Sequence, residues 1–339
     1  MKPFVFITLL LSIWGLSSCD SGGSRSSRRN PAGTIARASG GAYEIFVVMD
    51  KAVWEGTAGQ AVKEELSTPL PYLLQGEPSM KPVTHIKPEQ FKGVLRFFRN
   101  ILIVRINDAM YTKVSLQKEF DNWAQGQIIV FLNAPDQPSV ETYLSEHPQS
   151  VLNLFTKEEM IRAGELLREK HSLAVLNQVR EKFGIELYAP ADIQASKEGD
   201  NCIWFSNKAF TGRMDIFVYS FPYVDRNTFT LDYLVAKRDS FAKYMIPGSF
   251  EGSYMATEKR VVDYEASTLN GKYCGVLRGL WRTEGDMMGG PFVSYARVDE
   301  PNRRVIVTEG FVFEPRKEKR NYIRRLEAAL QTTRFASEL

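Results

Sequence analysis

The feature that most constrains this chain is an apolar run near its start, Phe4 to Leu11, resumed at Ile13, Trp14 and Leu16 and then stopped by Ser17, Ser18 and Cys19. A membrane-crossing helix needs about 20 apolar residues, and this run is shorter and quickly followed by polar ones. With Lys2 ahead of it, the layout is that of an export signal over residues 1–18. Such a segment is removed, so the fold must be sought downstream.

Leu16-Ser17-Ser18-Cys19 resembles the bacterial lipobox, an aliphatic residue and two small ones before a cysteine. Small side chains fit a peptidase beside the scissile bond, and the thiol is the nucleophile that takes lipid. Two or three acyl chains then anchor stably where one would not. The competing reading is an ordinary secretory signal with a chance cysteine, giving a freely soluble protein. Residues 19–42 are rich in Ser, Gly and Arg with almost no large apolar side chain, a composition that buries no core. As a flexible coil this tether spans about 25 Å. Its arginines, Arg25, Arg28, Arg29 and Arg37, could lean toward anionic headgroups, although a plain soluble spacer accounts for the composition.

The remainder, residues 43–339, is about 300 residues long, enough for one large or two modest cores. Of the formal charge of +3, one charge is Lys2 and three are the tether's excess, four arginines against Asp20, so the body sits near −1. That argues against nucleic-acid binding, which needs a net basic face. Beyond Cys19 the cysteines are Cys202 and Cys274. In an oxidising compartment they could pair, a closure worth about 4 kcal/mol on a loop-entropy account. Both also stand in strand-like apolar runs where buried free thiols are ordinary, and both readings stay open.

Periodicity outlines the elements. Strands are expected at Tyr43 to Met49, Val83 to Ile86, Ile101 to Ile106, Val114 to Glu119 and Gln127 to Leu132. Asp50 looks like the cap of a helix reaching Leu66, and Pro88 like the opening of one reaching Phe98. Ser139 to Phe183 reads as helical, broken near Thr156 and ended by Gly184. Further strands are expected at Ile185 to Tyr188, Cys202 to Ser206, Met214 to Phe221, Arg260 to Thr268, Tyr273 to Arg282, Phe292 to Val298 and Val305 to Phe313. Helices are expected near Thr230 to Tyr244 and Lys317 to Thr332. The pattern is α+β, with mostly antiparallel sheets because short turns separate the late strands. It suggests two α+β halves, 43–184 and 185–339, joined by the helical middle.

Familiar catalytic signatures do not occur. The histidines, His85, His147 and His171, are far apart and make no helical pair, so no metal is expected. Nor is there a nucleophile elbow, a phosphate loop or a dinucleotide fingerprint, and no cofactor is expected. A carboxylate-pair glycosidase leaves no such signature, and Glu55, Glu77 and Asp286 are acids that could serve one. The most unusual local sequence runs from Arg278 to Phe292. As a binding loop it would use Trp281 as a platform, Arg282 and Asp286 for orientation, and Gly289 and Gly290 for close approach. As a hairpin it would use the same glycines for its turn and the tryptophan for its core. Arg99 reads as an anion contact or a helix cap. The basic stretch from Arg316 to Arg325 reads as a solvated helix face or a lipid-facing one.

Several of these segments resemble a family of Bacteroidota envelope lipoproteins, domain of unknown function 4837. They are Val47-Val48-Met49-Asp50 with Trp54-Glu55-Gly56, His85-Ile86-Lys87-Pro88 through Phe98-Arg99-Asn100-Ile101, and Leu277-Arg278-Gly279-Leu280-Trp281 through Met288-Gly289-Gly290-Pro291-Phe292-Val293-Ser294-Tyr295. Leu73-Leu74-Gln75-Gly76 departs from the more Pro-rich form expected there. The resemblance implies an envelope location, favouring the outer membrane, and brings no activity. Asp20 after Cys19 resembles an inner-membrane retention signal of enteric bacteria. The expectation is a membrane-anchored, non-catalytic protein that binds an envelope protein or polysaccharide, the alternative being a carboxylate-dependent enzyme on envelope glycans.

Overall fold

The structure is a computed structural model that describes residues 36–338; the expected export signal, Cys19 and most of the expected tether lie outside the described residues. Two sheets organise it. The first contains β1 (Ile45–Val48), β2 (Val83–Ile86), β3 (Asn100–Ile106), β4 (Ser115–Phe120) and β5 (Ile128–Ala134), in the order β2-β1-β3-β5-β4. Helices α1 (Lys51–Glu55) and α2 (Thr57–Leu66) make the crossover from β1 to β2, which lie parallel. β3 is parallel to β1 and to β5, and only the edge strand β4 runs antiparallel. The short-turn argument for antiparallel pairing therefore holds for the second sheet and not for this one. Its three central strands, β1, β3 and β5, are apolar nearly throughout, as burial on both faces requires. Ile45, Val47, Leu102, Val130 and Leu132 pack toward helices on one face, while Val48, Ile101, Ile103, Ile129 and Phe131 face the other.

The expected helix at 51–66 is two helices because Gly56 adopts an extended conformation between them. The expected helix after Pro88 is instead two short 3-10 turns, Pro88–Gln90 and Gly93–Phe97, with Gly93 at φ +58° interrupting any continuous run. In the helical middle there are three helices, α3 (Gln137–Glu146), α4 (Ser150–Glu169) and α5 (Leu173–Phe183). Thr156 does not break them. It lies inside α4 with Oγ1 bonded back to the Leu152 carbonyl, a contact that a helix accommodates. The real boundaries carry caps: the Asp136 side chain accepts from the Ser139 amide, Ser172 accepts from Val175, and Gly184 ends α5 in the left-handed region.

The second sheet has seven strands in the order β10-β11-β12-β13-β9-β8-β7, antiparallel throughout. These are β7 (Ala195–Gly199), β8 (Cys202–Ser206), β9 (Arg213–Pro222), β10 (Tyr254–Leu269), β11 (Lys272–Glu284), β12 (Gly289–Asp299) and β13 (Arg304–Phe313). A short pair, β6 (Ile185–Glu186) with β14 (Arg334–Phe335), lies apart from it. α5 and α7 (Arg320–Gln331) contribute Val175, Val179, Phe183, Ile323, Leu326 and Leu330 to the core on one face. On the other face, α6 (Leu231–Met245) contributes Leu234, Val235, Ala242 and Met245. Packing thus assigns α5 to the second sheet, one helix earlier than a junction at 184/185. All described residues belong to one compact unit.

Cys202 and Cys274 are free and do not form the disulfide that remained open from the sequence. They sit on β8 and β11, with β9, β13 and β12 between, about 19 Å apart at the usual strand spacing. Cys202 packs in the α6-side core and Cys274 in the α7-side core. A disulfide bridges Cα atoms no farther than about 7 Å apart.

The basic stretch before and within α7 is a solvated face only in part: Arg316, Lys317 and Arg325 are exposed, whereas Lys319, Arg320 and Arg324 are buried. Arg320 and Arg324 are buried, donating to the carbonyls of Pro78 and Ser79 at 2.6 Å each, and the Arg324 guanidinium lies 4.0 Å over the Tyr43 ring. Glu77, 3% exposed, accepts from the amides of Lys319 and Arg320 at 2.8 and 2.7 Å, placing a carboxylate at the start of α7. Arg99 caps no helix. It pairs with buried Glu159 on α4 at 2.8 Å, and Asn100 donates to the same carboxylate at 2.7 Å.

Candidate functional site

α6 covers only part of its face of the seven-stranded sheet. Its last turn reaches Gly199 and Cys202 at one end of β7 and β8, and beyond it a cleft of about 680 Å³ opens, within the range of small-ligand sites. Trp204 on β8, Arg213 on β9 and Phe313 at the end of β13 line it, with Ala195 and Lys197 of β7 on one side and the 207–212 connection on the other. Strand alternation explains the set. Ile203, Phe205, Met214 and Ile216 enter the α7-side core, so Trp204, Ser206, Arg213 and Asp215 fall on the opposite face.

A buried carboxylate fixes the cleft's floor. Asp215 is fully buried, its Oδ1 accepts from Trp204 Nε1 at 3.0 Å, and Arg213 Nε lies 3.0 Å from its Oδ2. The Arg213 guanidinium stands 5.4 Å over the Trp204 ring. Burial raises the Asp215 carboxyl above its ordinary value, opposed by Arg213, Ser206 and Trp204. Indole and guanidinium are therefore both oriented by a buried carboxylate that does not itself line the cleft.

The lip is pinned in the same manner. Asn207 Oδ1 accepts from the amides of Ala209 and Met214, and Ser206 Oγ from that of Lys208. Glu314, 1% exposed, accepts from the amides of Arg316, Gly212 and Lys317, the bond from Arg316 chief among the causes that hold its carboxyl below the ordinary range. Gly212 sits at φ +65°, and a Cβ there would meet the Tyr322 ring at 2.6 Å, so glycine is required on both counts. The loop presents Phe210, 86% exposed. Lys208 and Arg316 stand at the rim, and neither ion-pairs with a carboxylate among the described residues. Lys197 Nζ donates to the Met245 carbonyl at 2.9 Å.

The arrangement is an aromatic floor under a cationic rim, with both neighbouring acids already engaged. Such a cleft suits a group that is apolar and negatively charged. Residues 172–332 match the family domain of unknown function 4837. Residues 38–168 match a different one, domain of unknown function 8532. The first match carries the Trp204 cleft and the segment from Leu277 to Tyr295, whereas the resembling segments at 47–56 and 85–101 fall within the second. No curated protein matches the chain. Among solved structures, the Ran-binding protein Mog1p of Saccharomyces cerevisiae is similar at 8% identity and a TM-score of 0.31, covering 45% of this chain and 90% of its own. A Mog1 point mutant is similar at 10% identity and a TM-score of 0.29, covering 45% and 91%.

Within the 4837 match, the Arg278 to Phe292 segment forms the β11–β12 hairpin, and its singled-out residues do not gather around a cavity. Trp281 is 4% exposed, donates Nε1 to the Val312 carbonyl at 3.2 Å and meets Phe311 edge-on, so its ring offers no free face. Gly290 is there because a Cβ would lie 2.1 Å from the Val312 oxygen, and Gly289 because one would lie 2.9 Å from the Trp281 oxygen. Arg282 pairs with Glu284, and Asp286 accepts from the Ser249 amide at 2.8 Å. The acids considered for a glycosidase are dispersed: Glu55 pairs with Lys51 on α1, Glu77 caps α7, and Asp286 ties the hairpin.

Each histidine packs against a different ring, His85 on Trp54, His147 on Tyr143 and His171 on Tyr188. Among the described residues no group of three or more His, Cys, Asp or Glu is arranged to hold a metal. No helix among them is long and apolar enough to cross a membrane. Sequence reasoning missed Trp204, Arg213 and Asp215. The available signal was an Arg and an Asp at alternate positions of an otherwise apolar strand.

Proposed function

We propose that this chain is a non-catalytic binding protein of the cell envelope, anchored through lipid on Cys19 at the outer membrane, and that the Trp204 cleft receives an apolar ligand group bearing a negative charge. The observation that carries the proposal is the cleft itself: an indole and a guanidinium oriented by a buried carboxylate, beneath the rim cations Lys208 and Arg316. The anchor rests on Leu16-Ser17-Ser18-Cys19 and on the Ser-, Gly- and Arg-rich composition of the residues that follow. An enzyme acting on envelope glycans would draw on Asp215 and Glu314, the cleft's nearest acids. Asp215 is committed to Arg213 and Trp204, and Glu314 to three backbone amides.

The test uses full-length protein and dodecanoate, with dodecyltrimethylammonium as the charge-reversed control, measured by calorimetry. Dodecanoate is expected to bind and the cation to fail. Trp204→Ala should weaken binding by about tenfold or more, since an aromatic face contributes about 1.5 to 3 kcal/mol on burial. Equal binding of both amphiphiles, or indifference to Trp204→Ala, overturns the reading, as does turnover of an envelope glycan abolished by Asp215→Asn. For the anchor, Cys19→Ala is expected to move the protein from the membrane to the soluble fraction.

A further inference from the structure

The face of the five-stranded sheet opposite α2, α3 and α4 carries a second groove, of about 720 Å³. Sheets built from parallel strands ordinarily have helices on both faces. Here the second face is covered by the 3-10 turns around Phe91 and Leu95 and by Trp123. The groove lies beyond the carboxyl ends of β1 and β3, lined by Val48 and Asp50 from one and Arg105, Ile106 and Asn107 from the other. From β1 the chain crosses to β2 on one side, while β3 lies on the other. The strand order therefore reverses at this point, where open α/β sheets leave a ligand crevice.

Two arginines reach the groove, and both are stacked. The Arg96 guanidinium lies 5.5 Å from the centre of the Trp123 ring, and that of Arg105 lies 4.5 Å from the centre of Phe131. Neither ion-pairs with a carboxylate among the described residues. Their planar faces are held; Arg96 Nε donates to the Phe91 carbonyl at 3.4 Å, which leaves its terminal N–H groups, with the edge of Arg105, available for an anion. The walls are tied together by Gln127, which is fully buried. Its Nε2 donates to the carbonyls of Arg96 and Phe98 at 2.6 and 2.7 Å, and its Oε1 accepts from the Trp123 amide at 3.1 Å. Nearby on β5, Asn133 follows Phe131 by two residues and so faces the same side. It is 2% exposed, and its Oδ1 accepts no hydrogen bond from the protein.

Asp50 lines the same groove and makes no capping bond with its side chain. Two cations with one carboxylate fit a ligand that brings one negative charge per unit together with hydroxyl donors. A densely anionic chain would instead set repeated charge against Asp50. We propose that this groove binds an acidic oligosaccharide of the uronic acid type, with its carboxylate on Arg96 and Arg105 and its hydroxyls on Asp50. This site is separate from the Trp204 cleft and does not depend on it.

The experiment is calorimetry on full-length protein with trigalacturonate, against maltotriose as the neutral trisaccharide and an Asp-rich peptide of equal charge. Trigalacturonate is expected to bind and maltotriose to fail. Arg96→Gln and Arg105→Gln should each weaken binding about tenfold, with urea midpoints unchanged because both side chains are exposed. Trp204→Ala should leave this binding intact. Equal binding of maltotriose, preference for the acidic peptide, or indifference to both arginine substitutions would overturn the assignment.

Discussion

Replacing Arg238 alone should cost more than replacing it together with its partner. Arg238 on α6 and Glu309 on β13 have no exposed side-chain surface. Arg238 Nε and Nη2 donate to the two carboxylate oxygens at 2.9 and 2.8 Å, Nη1 donates to Thr257 Oγ1 at 2.9 Å, and the guanidinium lies 3.9 Å from the centre of the Phe292 ring. Arg238→Met keeps much of the aliphatic stem but leaves Glu309 sealed in the core without its donors. Removing one member of a buried pair costs about 3 to 5 kcal/mol, whereas replacing both by apolar residues of similar volume is often neutral or better. Arg238→Met with Glu309→Met should therefore recover most of the loss.

The pH dependence follows from the carboxyl. Burial already raises Glu309 above its ordinary value of 4.5, against the attraction of Arg238, and in Arg238→Met it rises further. Between the unfolded value and the raised folded one, the folded state binds more protons, so stability falls as pH rises through that window, by up to about 1.4 kcal/mol per pH unit. Urea unfolding of parent, single and double variants at pH 5 and pH 8 is the assay. The penalty of the single variant should be smaller at pH 5. A penalty under about 1 kcal/mol, no change with pH, or a double variant as unstable as the sum of the singles would refute the reasoning.

Other outcomes are expected from the junction, the hairpin and the thiols. Glu77→Ala removes the acceptor of two amides at the start of α7 and should cost about 1 to 2 kcal/mol. Native-state hydrogen exchange should find the Lys319 and Arg320 amides deprotected, and unchanged exchange would contradict the capping role. Gly290→Ala drives a Cβ to 2.1 Å from the Val312 oxygen and should cost about 1 to 3 kcal/mol through overpacking, read as a lower urea midpoint. A variant as stable as the parent would count against that packing. Reductant should leave the melting temperature unaltered, because Cys202 and Cys274 lie in cores on opposite faces. Burial pushes the Cys274 thiol up to about 12, so a thiol reagent at pH 8 should label it only after denaturation.

Local order was legible because it follows from short-range periodicity. The four strands β10 to β13, the amphipathic α7 with Ile323, Leu326 and Leu330 inward, and the Gly184 stop can all be read from a window of a few residues. Gly93 shows the limit of such reading: one residue at positive φ turned an apparent helix into two 3-10 turns. The chain that determines these elements by itself does not reveal which of their faces meet. Parallel pairing of β1 with β3 brings together strands separated by the whole α1, α2 and β2 crossover. Arg320 and Arg324 look like solvated charges until the carbonyls of Pro78 and Ser79 are placed against them. The Trp204 cleft likewise needs β7, β8, β9 and the end of β13 side by side. For Trp281 the sequence offers both a core and a platform, since the same aromatic residue serves either according to what tertiary packing lays over its ring.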